Sequence, residues 1–128
     1  ISEINTSFTL KLMQRIMRHE GWSYDVDVFS PDSICNNPED LWSANCAIPE
    51  MLFSNKKRFE NNFKNARIIH SKLREFLLLP ISGGVISKSK TINLPFWLLE
   101  IINFVDNILV RISPSIFASI REVVIQKK

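Results

Sequence analysis

Apolar positions recur with a helical period in two stretches of this chain and gather as β-branched bulk near its end. Over the first stretch, Phe8, Leu12, Met13, Ile16 and Met17 fall at steps of three and four. That spacing predicts an amphipathic helix with those five on one face and Lys11, Arg15 and Arg18 on the other. Asn5, Thr6 or Ser7 can cap it, because each offers a side-chain oxygen to the free N–H groups of the first turn. Gly21 is the expected stop, and residues 1–5 read as a short extended lead-in. The second stretch starts at Pro95 and reaches Arg111. Glu100, Asn103, Asn107 and Arg111 form a polar stripe there, and most other positions are apolar. The reading is a buried helix with one wet stripe. A membrane span is disfavoured, because Glu100 and Asp106 are costly near mid-bilayer.

Between the helices the period is lost. Residues 21–48 carry Pro31, Pro38 and Asn36-Asn37, which argue for loop and turn. Trp22, Tyr24, Phe29 and Trp42 make this a lid or pocket loop in expectation. Pro49 suits the first turn of a new helix, and Ser54 can cap a second helical piece ending near Phe63. Residues 66–73 read as a strand in their first half. Phe76 to Pro80 is extended or briefly helical, Ser82-Gly83-Gly84 is a break, and residues 85–93 are an exposed loop. Pro114 closes the long helix, and Phe117 to Gln126 is the last strand. Two strands do not make a stable sheet. The chain therefore reads as a single partial domain, 1–128, of α/β class with long helices and few strands.

Composition adds limits. At 45% apolar and 23% charged, disorder is disfavoured as a description of the whole chain. The net charge of +3 is too mild to mark a nucleic-acid partner. Lys56-Lys57-Arg58 reads as the solvated face of a helix, not a phosphate site. Cys35 and Cys46 are expected as free thiols in a reducing compartment. With His19 and His70 they lack the close spacing of a zinc motif, so no metal is expected. No signal-peptide pattern opens the chain, which places it in the cytoplasm in expectation.

A set of ordered short motifs points further. These are Ile4-Asn5-Thr6-Ser7, His19-Glu20-Gly21, Asp25-Val26-Asp27-Val28-Phe29 and Asn45-Cys46-Ala47-Ile48-Pro49. Leu52-Phe53, Arg58-Phe59-Glu60, Pro80-Ile81-Ser82-Gly83-Gly84 and Ile116-Phe117-Ala118 follow in order. The set resembles the C-terminal, substrate-side half of a class I S-adenosylmethionine-dependent methyltransferase, a Rossmann-like fold. The resemblance makes residues 1–4 the tail of the fifth strand, 66–71 the sixth and 117–126 the seventh. In that family the seventh strand is antiparallel and slotted between the fifth and sixth. It also implies S-adenosylmethionine as cofactor and a small-molecule substrate. The Gly-rich cofactor loop has no counterpart here, so no cofactor-binding residue is assigned and the chain is expected to be inactive alone.

On that resemblance His19 is a candidate base and Glu20 its orienting partner, or His19 only favours the dipole at a helix end. Asn45 holds a polar substrate group or satisfies loop backbone. Ser82 contacts substrate or serves its turn, and Trp22 roofs an apolar pocket or fills core. The alternative is a non-enzymatic α+β interaction module. It docks a partner or a membrane surface through the apolar helix 95–111.

Overall fold

The computed structural model describes residues 1–18, 20–30, 45–84 and 90–128. Three strands and six helices are present among them: β1 (Ser2–Ile4), α1 (Phe8–Met17), α2 (Ile48–Phe53), α3 (Lys56–Asn62), β2 (Ala66–Arg74), α4 (Leu78–Ile81), α5 (Phe96–Ile112), α6 (Pro114–Phe117) and β3 (Ile120–Lys127). The sheet order is β1-β3-β2, and β3 runs antiparallel to both neighbours. The expected pair of strands is thus a sheet of three. The lead-in pairs with β3 through Ser2 opposite Glu122 and Ile4 opposite Ile120. Helices prove short, α5 excepted, because prolines and caps divide them.

Each face of the sheet carries its own apolar cluster. On one, Phe59 of α3 and Phe53 of α2 pack on Ile68, Val123 and Ile125. On the other, Leu10 of α1 and Leu79 of α4 pack with Ile4 and Ile120. Strand β2 shifts register between Ile68 and His70, so Ile69 is an extra residue and stands exposed. This is a mixed α/β arrangement with helices on both faces of a small antiparallel sheet.

Helix α1 corrects the expected face. Leu10 and Gln14 are its buried residues, while Phe8, Leu12 and Ile16 are exposed. The buried line is set by the sheet beneath, where Leu10 meets Ile4 and Ile120. Ser7 is the cap, its Oγ accepting the Leu10 N–H at 3.3 Å. The helix stops three residues before Gly21, because Arg18 turns left-handed at φ 49°. Glycine tolerates that conformation better than arginine. Arg18→Gly is therefore expected to raise stability by about 1 kcal/mol, read as a higher midpoint in urea unfolding. An unchanged or lower midpoint contradicts this.

Other boundaries also move. Asn55, not Ser54, caps α3, its Oδ1 accepting the Arg58 N–H at 3.0 Å. Strand β2 runs through Arg74, beyond its expected first half, because β3 supplies partners as far as Ile120. Pro114 opens α6 as well as ending α5, which takes Phe117 out of the last strand. The expected buried helix 95–111 is not buried all round. Trp97, Ile101, Phe104, Val105, Ile108 and Ile112 of α5 are exposed, and its fully buried polar residue is Asp106. No helix among the described residues is long and apolar enough to cross a membrane.

Candidate functional site

Strands β1 and β2 are parallel to each other, since each is antiparallel to β3. Their carboxyl ends therefore lie at one edge of the sheet, joined through the start of β3. The Asn5 N–H donates to the Ser119 carbonyl at 2.8 Å, and Asn5 Nδ2 to the Ala118 carbonyl at 2.8 Å. Arg121 Nη2 donates to Asn5 Oδ1 at 3.0 Å, and the Ser119 N–H to the Glu75 carbonyl at 2.8 Å.

Beyond β1 the chain builds a polar cluster. The Glu20 N–H donates to Gln14 Oε1 at 3.4 Å. Gly21 bridges to Asn45, and the Cys46 N–H donates to the Gly21 carbonyl at 3.0 Å. Asn45 staples the loop: its Oδ1 accepts the N–H groups of Ser23 (2.9 Å) and Ala47 (3.1 Å), and its Nδ2 donates to the Ser23 carbonyl (2.7 Å). Most of the Asn45 amide's capacity is thereby used on backbone. Lys11 Nζ lies 4.9 Å from the Tyr24 ring centre and 5.9 Å from that of Trp22. The Tyr24 hydroxyl donates to Glu50 Oε2 at 2.8 Å. Buried Cys46 is a free thiol. Burial, and next the Glu20 carboxylate, push it up to about 11. It stays protonated at neutral pH and is a poor nucleophile there. Burial also lowers Arg121, against the pull of Glu50.

Beyond β2 lies a pocket of about 440 Å³. Its polar lining is Glu75, Ser82 and Thr91, and its apolar lining is Leu78, Ile81, Ile92 and Leu99. Glu75 ends the strand in a left-handed conformation, φ 56°. Ser82 Oγ donates to the Leu79 carbonyl at 2.8 Å. The wall behind is fixed by Asp106, whose carboxylate accepts the N–H groups of Phe76 (2.9 Å), Leu77 (2.9 Å) and Leu78 (3.0 Å). Helix α4 lacks a side-chain cap of its own, and Asp106 supplies one from α5.

Burial, and next the Asp106 carboxylate, raise Glu75 above the usual carboxylate range, with Arg74 pulling the other way. A carboxyl raised on folding carries no penalty while protonated in both states. The penalty grows as pH rises from the ordinary carboxylate range through the folded value, and it is full once the pH exceeds that value. Glu75→Gln is thus expected to be more stable than the parent at pH 7, by less than about 1 kcal/mol because solvent screens the group. That gain should vanish in acid, as thermal melts at both pH values would show. A gain that persists below the carboxylate range contradicts this.

The structure gathers Glu20, Trp22 and Asn45 around Gln14 and Gly21, and sets Ser82 in the pocket beyond β2. His19 lies outside the described residues, as do Cys35 and residues 31–44, half of the expected lid. His70 is exposed on β2. No group of three or more His, Cys, Asp or Glu able to hold a metal occurs among the described residues. Gly83-Gly84 does not fit a cofactor cradle. Gly83 (φ 76°) closes α4, and a Cβ on Gly84 would stand 2.5 Å from Leu79 Cδ1. Sequence reasoning passed over Asp106 and Glu75. The signal for Asp106 was present: it lies off the polar stripe, among apolar neighbours. No family model, curated protein or solved structure matches this chain.

Proposed function

We propose that this chain supplies the substrate-side half of a class I S-adenosylmethionine-dependent methyltransferase, acting in the cytoplasm on a small-molecule acceptor. The observation that carries the reading is the place of β3. It is last in sequence, yet it lies between β1 and β2 and is antiparallel to both. Strands neighbouring in sequence are usually neighbours in space, so a final strand inserted between two earlier ones is an informative order. It is the order that the resemblance implies for the fifth, seventh and sixth strands.

On this reading the chain's own residues hold and deprotonate the acceptor. His19 is the base and Glu20 its orienting partner, while Trp22 and Asn45 contact the substrate; Ser82 lies in the separate pocket beyond β2 and takes no part in this site. None of the described residues fits the cofactor, and on this reading a neighbouring part of the enzyme holds it. Two features of the described residues agree with such a neighbour. Strand β1 is a sheet edge, and α1 exposes Phe8, Leu12 and Ile16.

Calorimetry with S-adenosylmethionine on the 128-residue chain is expected to show no binding. The coding sequence ahead of Ile1 is expected to specify a strand followed by a Gly-rich loop. A stop codon or an unrelated domain there, or tight cofactor binding by this chain alone, contradicts the proposal.

The exposed apolar face of α5 favours a second reading, a non-enzymatic module that docks on a lipid surface. Phe96 and Trp97 stand 75% and 61% exposed at the start of that helix, and aromatic residues suit the membrane interface. Co-sedimentation with lipid vesicles tests it. Absence of binding at low salt contradicts it.

A further inference from the structure

We propose that the pocket beyond β2 binds a primary amine carrying an aliphatic body, with the ammonium on Glu75 and the chain against Leu78, Ile81 and Leu99. This goes beyond both readings above and holds whether or not the chain takes part in methyl transfer.

Size comes first. About 440 Å³ lies within the range of small-ligand sites. The chemistry of the lining comes next. One acidic residue and two hydroxyl residues, Ser82 and Thr91, stand among four apolar side chains. Such a lining suits an amphiphile with one polar head.

The charge of that head follows from the carboxylates. Asp106 accepts three backbone N–H groups at the base of the wall and is spent there. Glu75 is the second acid. Among the described residues it forms no ion pair, and its neighbour Arg74 is held by Glu122 at 2.8 Å. A half-buried carboxylate beside a second one repels anions and gains from a cation. An ammonium offers that charge and three donors for Glu75, Ser82 and Thr91.

The backbone agrees. Glu75 holds φ 56°, a conformation that glycine adopts more readily. Residues kept in sparsely populated conformations gather at ligand sites. The Ser119 N–H, just ahead of β3, fixes the Glu75 carbonyl at 2.8 Å, so the residue is held in place.

The test is a nuclear magnetic resonance titration of the ¹⁵N-labelled chain with three probes of equal length: n-hexylamine, n-hexanol and hexanoate. Hexylamine is expected to shift the amides of residues 75–82 and 91–99 saturably, with at least tenfold tighter binding than hexanoate. Glu75→Gln should remove that preference, and hexanol should bind parent and variant alike. Ile92→Trp, which narrows the mouth with Glu75 in place, should weaken all three. Shifts that do not saturate, equal binding of hexylamine and hexanoate by the parent, or a preference that survives Glu75→Gln would overturn the proposal. The comparison of probes on the parent decides the matter even if a variant fails to fold.

Discussion

Asp106→Ala is expected to cost about 3–5 kcal/mol, because it leaves three backbone N–H donors without their charged acceptor. Asp106 sits on α5 with its side chain fully buried. Its two oxygens accept N–H groups from Phe76, Leu77 and Leu78. Hydrogen bonds to a charged group contribute about 1.5–3 kcal/mol each, and bonds sharing one carboxylate do not add fully. Alanine leaves three donors facing a void and uncouples α4 from α5. Asp106→Asn keeps one acceptor oxygen and should lose roughly half as much. Urea unfolding followed by circular dichroism gives both numbers. An alanine variant within about 1 kcal/mol of the parent would mean that the three N–H groups find water instead.

The second large effect is expected at Phe59. Phe59→Ala should cost about 3–5 kcal/mol through lost burial and the cavity left behind. The ring is 5% exposed and joins Ile68 of β2 to Val123 of β3. It also meets the rings of Phe53 at 5.7 Å and Phe63 at 4.8 Å. Removing it opens the cluster that holds α2 and α3 on the sheet. Phe59→Leu refills most of the space and should cost less than half as much, a difference that thermal melts resolve. Equal losses for alanine and leucine would point to ring–ring geometry, not cavity volume, as the stabilising factor.

Elements governed by local chemistry were legible from the residues alone. Ser7 caps α1 because its hydroxyl needs only the next turn, and Pro95 stands at the N-cap of α5 because its φ is fixed. Long-range choices were less legible. The buried line of α1 runs through Leu10 and Gln14, since β1 and β3 lie beneath that line and not beneath Phe8 and Leu12. The period of apolar residues told that a helix forms; it did not tell which of two apolar lines the sheet would take. The same holds for α5, where the wet stripe was legible and the exposed line from Trp97 to Ile112 was not.

The site was legible in part. Glu20, Trp22 and Asn45 converge because Gly21 and Asn45 bridge two distant loops. The staple from Asn45 to Ser23 and Ala47 shows what that amide does for the fold. Glu75 was hidden, because nothing local marks a glutamate at the end of a strand as half-buried. Its setting depends on Asp106, which lies 31 positions later in the chain, and on the turn that closes α4.

The place of β3 between β1 and β2 carries the functional reading, and cross-strand nuclear Overhauser contacts test it most directly. Arg121 stands opposite Glu3 on one side and opposite Leu73 on the other. Contacts from the Arg121 backbone to both residues are expected in one sample. Direct contacts between β1 and β2, or an Arg121 with a partner on one side only, would contradict it.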